Sequence, residues 1–270
     1  MHLAYMRPNL NYYSTDGDSP FVFQHGLTAD VAQVQRFFAE KHEWKIMSID
    51  CPGHGKSPLT PGYKPSFKVY AEEVIRFLDS QVVERAVFGG ISMGSGIALH
   101  IGLNFPDRVK GLVLVRPAWL DKSNPENLLI LRRAADCMEC ENGKAMFCED
   151  EEFKHIQATL PSAAQSILGV FAEHQQEVLP KVIHAMAADR PFESMSHLQE
   201  IEAPCLIIAN DDDPLHPYSM AKKISECISH SILKKVTSRY IDNELHSQEV
   251  LAHISHFLKE KAEKNEELLG

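Results

Sequence analysis

The sequence lacks long apolar segments. No stretch approaches the roughly 20 consecutive apolar residues that a helix needs to span a bilayer, and residues 1–13 contain no apolar run typical of a secretory signal. We therefore expect a cytoplasmic protein with no membrane partner. Apolar residues make up 44% of the chain, and 270 residues can bury a large core without disulfides or metals.

Positive charge is scarce. The chain has 27 Lys and Arg residues against 37 Asp and Glu residues, which gives a net charge of −10. An acidic surface argues against nucleic acid as the main partner. The expected partner is a small-molecule substrate, whose binding depends on the local charge of a pocket. The composition is compatible with a monomer and with a homodimer.

Cysteine is also sparse, and its spacing fits no metal site. The six cysteines are most simply reduced thiols in a cytoplasmic chain. Cys137 and Cys140 form a CxxC, but the second pair that a zinc site would normally offer is missing. We expect thiols on a helix here, and neither a metal nor a cofactor.

Short apolar runs alternate with segments of helical periodicity along most of the chain. The predicted strands are 21–23, 45–49, 86–88, 111–115, 205–208 and about 232–236. Predicted helices lie between these strands and after the last one. Such alternation indicates an α/β fold, with a mostly parallel central sheet that carries helices on both faces.

The alternation stops after Val115. Between residue 117 and about residue 200 the sequence has no strand pattern, and it predicts four helices instead. Because this segment lies between two sheet strands, we expect an all-helical cap inserted at 117–200. The core would then consist of a first part, 1–116, and a second part, 201–270.

A candidate nucleophile lies at the end of the third predicted strand. Gly90-Ile91-Ser92-Met93-Gly94 is a G-x-S-x-G that directly follows a buried strand and directly opens a helix. This context is typical of a nucleophile elbow, a sharp turn that exposes the serine Oγ at the edge of the sheet. Glycines on both sides allow the backbones to approach closely. The motif predicts a covalent catalyst at Ser92.

Two further motifs make the chain resemble a known superfamily. Gln24-His25-Gly26-Leu27 follows the first predicted strand, and Asp50-Cys51-Pro52-Gly53-His54-Gly55-Lys56-Ser57 matches the pattern D-x-P-G-x-G-x-S. With the nucleophile motif, these segments resemble the α/β-hydrolase superfamily in their order along the chain. The resemblance covers nearly all of the chain outside the helical insertion. It implies the α/β-hydrolase fold and a serine hydrolase mechanism, but it specifies no substrate.

The resemblance also implies roles for individual residues. It assigns the oxyanion hole to the backbone N–H groups of Leu27 and Met93, and the base to His246, in the segment 243–246 that we expect to be a loop after the last strand. His25 is expected to anchor its loop. His216 is expected to be part of the loop structure.

The acid that orients the base has three candidates. The segment Asn210–Pro217 follows the strand 205–208, where the superfamily carries G-x-x-D-x-x-x-P. Aligning Asn210 with the glycine and Pro217 with the proline selects Asp213. Asp211 and Asp212 remain close rivals. The selected acid would hold the histidine tautomer and stabilise the imidazolium.

Arg116 and Trp119 are candidate substrate-binding residues. They follow the strand 111–115, at the edge of the sheet that should carry Ser92. Arg116 could bind a carboxylate by two parallel hydrogen bonds. It could equally form a salt bridge to the cap or to the acidic loop. Trp119 is expected at the mouth of the pocket.

Four functions remain open. The first is hydrolysis of a small carboxylic ester, thioester or lactone through an acyl-enzyme at Ser92. The same triad could cleave a carbon–carbon bond in a diketone. It could also support haloperoxidase-like chemistry, although relatives with that activity usually carry Trp where this chain has Leu27. A different class of function is a small-molecule receptor on the same fold.

Overall fold

Seven strands form one sheet in the order β1-β3-β2-β4-β5-β6-β7. The structure is a computed structural model and describes residues 10–39, 42–172 and 177–266, with side chains described to residue 260. The strands are β1 (Tyr12–Ser14), β2 (Ser19–Gln24), β3 (Trp44–Ile49), β4 (Ala86–Ile91), β5 (Val109–Val115), β6 (Cys205–Ala209) and β7 (Ser231–Lys235). All neighbouring pairs are parallel except β1 and β3, which are antiparallel. The predicted α/β fold with a mostly parallel sheet is confirmed.

Helices surround this sheet. They are α1 (Val31–Phe37), α2 (Phe67–Ser80), α3 (Met93–Asn104), α4 (Leu129–Met138), α5 (Gly143–Cys148), α6 (Glu151–Thr159), α7 (Pro161–Leu168), α8 (Leu179–Ala188), α9 (Tyr218–Cys227) and α10 (Asn243–Glu266). Short 3₁₀ helices cover Pro106–Arg108, Glu126–Leu128, Gly169–Ala172 and Met195–Glu200. Within the described residues, no helix is long and apolar enough to cross a bilayer.

Alternate residues of each strand face opposite sides of the sheet, and each side has its own core. Leu112 and Leu114 of β5 belong to one cluster, with residues of α2, α3 and α9. Val113 and Val115 belong to a second cluster, with residues of α1 and α10. This two-residue period follows from the pleat of a strand. Burial on both faces explains why the central strands are continuous apolar runs in the sequence.

The first strand was missed by the sequence analysis. Tyr12–Ser14 is a three-residue strand at the edge of the sheet, and Tyr12 is exposed. A segment this short shows no periodicity, because a two-residue period needs at least four residues to be recognised. Its strand character depends on antiparallel pairing with residues 47–49, which local sequence does not encode.

Between β5 and β6 the described residues, 116–172 and 177–204, form short helices joined by turns and contain no strand. The buried residues of this segment, including Trp119, Leu131 and Phe153, belong to the same core cluster as sheet residues on that side. Trp119 donates a hydrogen bond from Nε1 to the Met186 carbonyl oxygen at 3.0 Å, which joins the start of the segment to α8. The helices therefore pack onto the sheet domain through a continuous apolar contact.

The connection from β4 to α3 is tight. Ser92 has φ 57° and ψ −110°, in the left-handed region that L-residues seldom adopt. A Cβ atom at Gly94 would overlap the carbonyl oxygen of Gln24, so glycine lets the first turn of α3 lie against the end of β2. Ser95 Oγ donates to the carbonyl oxygens of Gly90 at 2.8 Å and Val115 at 3.0 Å. These contacts fix Ser92 at the carboxyl end of the sheet.

We expect Gly94→Ala to lower the free energy of unfolding by about 1–3 kcal/mol, because the added methyl group must displace the backbone of β2 or α3. Urea denaturation measures this change. Gly169→Ala is the matched control, since a Cβ there meets nothing within 4 Å. Equal losses in the two variants, or a Gly94→Ala protein as stable as wild type, would show that the elbow has room for a methyl group.

Candidate active site

Ser92 lies at the wall of a small cavity above the carboxyl end of the sheet. Its backbone N–H donates to the Val115 carbonyl oxygen at 3.0 Å, which fixes the residue against β5. Within the described part of the chain, no residue forms a hydrogen bond with Ser92 Oγ. The cavity has a volume of about 70 Å³. Its wall also includes Leu27, Arg116, Trp119, His216, Arg239 and Tyr240.

A larger depression lies at the opposite edge of the sheet. It has a volume of about 700 Å³ and is lined by residues such as Lys110 and Pro204, at the amino ends of β5 and β6. Ligands of open α/β sheets bind beyond the carboxyl ends of the strands, where loops diverge. The smaller cavity is therefore the candidate site, because it lies at that edge and contains the strained serine.

Backbone N–H groups lie on one side of Ser92. Leu27 lines the cavity, and its N–H has no acceptor among the described residues. Met93 is the first residue of α3, where helical geometry leaves the N–H without an intrahelical partner. The arrangement can therefore offer two donors to a developing negative charge beside Ser92.

Two buried histidines hold the Leu27 loop. His54 Nε2 lies 2.7 Å from the Leu27 carbonyl oxygen, and His25 Nδ1 lies 2.8 Å from that of Gly26. His25 Nε2 accepts a hydrogen bond from the Cys51 N–H at 3.1 Å. Burial lowers the pKa of His25 to about 4 and that of His54 to about 3. Both rings are therefore neutral near pH 7 and join the loop to the turn that begins at Asp50.

Asp213 is buried and fully hydrogen-bonded. Its Oδ1 accepts from the backbone N–H groups of Leu215 at 3.1 Å and His216 at 3.2 Å, and from the His216 ring at 2.9 Å. Its Oδ2 accepts from Arg116 Nη1 at 3.2 Å. Burial favours the neutral acid, but His216, Arg116 and the Leu215 N–H together hold the pKa of Asp213 well below its usual range. The carboxylate is therefore ionised.

The two rival acids face solvent. Asp211 is exposed and forms an ion pair with Lys235. Asp212 is exposed and has a positive φ of 52°. Neither carboxylate lines the cavity. Of the three acids in this loop, only Asp213 is placed beside a histidine and an arginine of the cavity wall.

His246 is placed differently from our expectation. The segment 243–246 is not a loop: α10 begins at Asn243, because the Asp242 carboxylate accepts the Leu245 N–H at 2.9 Å and caps the helix. His246 Nδ1 lies 2.7 Å from the Thr237 carbonyl oxygen. In the described structure His246 forms no hydrogen bond with Asp213 or Ser92, and it does not line the cavity. The role of His246 as the base therefore stays a prediction.

In the structure the histidine bonded to Asp213 is His216. Its Nδ1 is hydrogen-bonded to Asp213, and the residue lines the cavity with Ser92. Burial lowers the pKa of His216, and the charge of Asp213 partly offsets this shift. The sequence analysis treated His216 as loop structure. The three-residue spacing from Asp213 to His216 was the signal that could have identified the pair.

Two arginines also reach the cavity. Arg116 is buried, has a φ of 48°, and binds Asp213, so the salt bridge to the acidic loop is the alternative that the structure contains. Arg239, between β7 and α10, lines the cavity and lies over the Tyr240 ring at 5.5 Å. Sequence analysis missed both Arg239 and Tyr240. Trp119 lines the cavity and is fully buried, and its expected place at the mouth stays a prediction.

The cysteines do not contribute to this site. Cys137 lies near the end of α4, while Cys140 follows the helix and is exposed, so the expectation that both lie on one helix is wrong. Across the described residues, no group of three His, Cys, Asp or Glu side chains is arranged to hold a metal ion.

Comparisons with known proteins agree with this fold. The family profile Hydrolase_4 (serine aminopeptidase, S33) matches residues 18–145. The chain is 28% identical over 228 residues to a putative carbamate hydrolase RutD of Variovorax paradoxus, covering 76% of each chain. It is 24% identical over 251 residues to 3-oxoadipate enol-lactonase 2 of Acinetobacter baylyi, covering 86% of each.

A solved structure supports the same assignment. A thermophilic esterase from Thermogutta terrifontis has a TM-score of 0.72 and 20% identity, with 94% of each chain covered. At this identity the likeness concerns the fold. With the strand order, the elbow and the matching family profile, it identifies the chain as a member of the α/β-hydrolase superfamily.

Proposed function

We propose that this chain is a serine hydrolase that cleaves a small carboxylic ester, thioester or lactone through an acyl-enzyme at Ser92. The observation that supports this best is the shared cavity. A serine in a strained elbow and a histidine bonded to an ionised aspartate line the same 70 Å³ space. The names of the relatives, a carbamate hydrolase and an enol-lactonase, are in line with acyl transfer to water.

We propose the following mechanism. Ser92 Oγ attacks the carbonyl carbon as its proton passes to a histidine, and the oxyanion accepts hydrogen bonds from the Leu27 and Met93 N–H groups. The protonated histidine then donates its proton to the leaving oxygen or sulfur as the tetrahedral intermediate collapses. Water then attacks the acyl-enzyme and gives a proton to the histidine. The histidine passes this proton to Ser92 Oγ as the bond between Oγ and the acyl carbon breaks, and the carboxylic acid leaves.

The base has two candidates, and the geometry favours His216 over His246. Asp213 accepts the Nδ1 proton of His216, which leaves Nε2 of that ring to accept a proton from Ser92. His246 instead directs Nδ1 at the Thr237 carbonyl oxygen. The superfamily resemblance favours His246. Catalytic hydrogen bonds are often formed only when substrate binds, so variants of both histidines must be compared.

We further propose that residues 117–200 act as a lid. Leu128 and Leu131, which precede and belong to α4, and Ser166 of α7 line the cavity together with Ser92. A volume of about 70 Å³ is far below the roughly 300–1,000 Å³ typical of ligand sites. A substrate larger than a few atoms therefore enters only if these helices move away from the sheet.

A receptor is the second candidate function. It is favoured by one observation: among the described residues, Ser92 Oγ has no hydrogen bond to a histidine. A fluorophosphonate probe distinguishes the two functions. Rapid labelling of Ser92 supports the enzyme, whereas saturable binding of a small molecule without labelling or turnover supports the receptor.

We expect Ser92→Ala to abolish turnover across a panel of esters, thioesters and lactones, because no other group can form the acyl-enzyme. Its free energy of unfolding should stay within about 0.5 kcal/mol of wild type, since the lost hydroxyl has no partner among the described residues. Steady-state kinetics and urea denaturation measure both. Residual turnover within tenfold of wild type would exclude Ser92 as the nucleophile.

We expect His216→Gln to lower kcat by about 100-fold or more, the usual contribution of a general base. His246→Gln should have a much smaller effect, because within the described residues His246 forms no hydrogen bond with Ser92 or Asp213. Burst kinetics with a para-nitrophenyl ester separate acylation from deacylation in both variants. The reverse ranking would restore His246 as the base and would require β7 and α10 to rearrange when substrate binds.

We expect kcat/KM of the wild type to fall on the acid side only below pH 6.5, the ordinary pKa of histidine, because burial lowers the pKa of His216 and the base must be neutral. Asp213→Asn removes a charge that raises this pKa. The acid limb should then move to still lower pH while the plateau falls by about 100-fold or more. Asp211→Asn and Asp212→Asn are surface controls. A larger loss in either control would show that the acid was misassigned.

A further inference from the structure

The cavity contains more positive charge than the proposed mechanism uses. Two guanidinium groups, those of Arg116 and Arg239, belong to its wall, but the cavity offers them one ionised carboxylate, Asp213. Both oxygens of Asp213 are already engaged, one by Arg116 and the other by His216 and two backbone N–H groups. One of the two guanidinium groups therefore has no carboxylate in hydrogen-bond contact.

That cation is Arg239. Within the described residues its side chain forms no ion pair and no hydrogen bond, and it lies over the Tyr240 ring. Arg239 is half-buried, and burial together with the nearby Arg116 lowers its pKa. A partly desolvated guanidinium beside a like charge is unfavourable unless a negative group approaches it.

Arg116 adds a second unused donor. Its Nε is buried and has no hydrogen-bond partner in the described structure, while Nη1 is bonded to Asp213. Buried donors without acceptors are rare in folded proteins, and at a cavity wall they indicate a missing ligand group. The main role of Arg116 is the ion pair with Asp213, so Arg239 is the better candidate for primary contact with a ligand.

We propose that Arg239 binds a carboxylate of the substrate, so that the acyl compound cleaved at Ser92 carries a negative charge. This inference rests on the proposed serine hydrolase function. A guanidinium matches a carboxylate with two parallel N–H donors, a geometry that a lysine cannot reproduce. Because the protein carries a net charge of −10, an anionic substrate needs such a local cation.

The rest of the wall suggests the shape of this substrate. Leu27, Leu128, Leu131 and Trp119 supply apolar surface between the nucleophile and the cap. The substrate class is therefore a short apolar acyl compound with a reactive ester, thioester or lactone near Ser92 and a free carboxylate near Arg239.

Matched substrates test the proposal. Mono(para-nitrophenyl) adipate carries the carboxylate, and its methyl ester is the neutral counterpart with the same leaving group. We expect wild type to prefer the anionic compound in kcat/KM. Arg239→Ala should reduce this preference by about 10- to 100-fold, the value of one charged hydrogen bond. Arg239→Lys should recover only part of it. Arg190→Ala is the control, since this exposed arginine pairs with Glu193 away from the cavity and should leave the preference unchanged.

The outcomes separate this proposal from the proposed function. If wild type hydrolyses both compounds without preference, or if Arg239→Ala keeps the preference, carboxylate binding by Arg239 is wrong and the hydrolase function stands. Calorimetry of Ser92→Ala with adipate measures binding without turnover. We expect adipate to bind Ser92→Ala and not Ser92→Ala/Arg239→Ala, with both variants folded by circular dichroism. That result would support carboxylate binding by Arg239 even if wild type hydrolyses neither compound. Absence of adipate binding to Ser92→Ala would overturn it.

Discussion

The buried carboxylate of Asp213 is the interaction on which the rest of the site depends. It connects Arg116, at the end of β5, to His216, in the loop after β6. Both residues line the cavity together with Ser92. A charge taken out of water is costly unless several donors surround it, and removing one partner leaves the others uncompensated. The four hydrogen bonds to Asp213 therefore fix the positions of a histidine and an arginine at once.

The parallel sheet explains why these parts meet. In a parallel sheet the carboxyl ends of neighbouring strands lie at one edge, so Gln24, Ile91, Val115 and Ala209 end close together. The loops that follow them carry Leu27, Ser92, Arg116 and His216. Glycine at position 94 allows α3 to start against β2, which brings the Met93 N–H and the Leu27 loop to the same side of Ser92. The geometry of the candidate site therefore depends on close packing of the backbone at this edge of the sheet.

Sequence predicted the elements whose signals are local. The five central strands and the elbow at Ser92 follow from apolar runs and glycine spacing, and the structure contains them. The partners of the titratable side chains were not predictable in the same way. The order Ser…Asp…His along the chain fits His246, yet hydrogen bonding depends on where α10 begins, and the Asp242 cap places His246 inside the helix. Arg239 and Tyr240 were missed because the seven-residue loop 236–242 has no periodicity that indicates which of its side chains line the cavity.

The cavity wall combines neutral groups with charged groups, and the two kinds act at different stages of the proposed reaction. On the side of the Leu27 loop, His25 and His54 are buried and neutral, so the groups beside the expected oxyanion are uncharged backbone donors. The wall also contains a histidine and two arginines, and the ionised aspartate is bonded to the histidine and to one of the arginines. Neutral backbone donors stabilise the negative charge only when it develops in the tetrahedral state, which favours catalysis over ground-state binding. The charged groups can already bind the substrate in the ground state, because a guanidinium attracts a carboxylate before any bond changes. A substrate that carries a fixed anion would therefore be oriented by its unreactive end, with its reactive carbonyl directed toward Ser92.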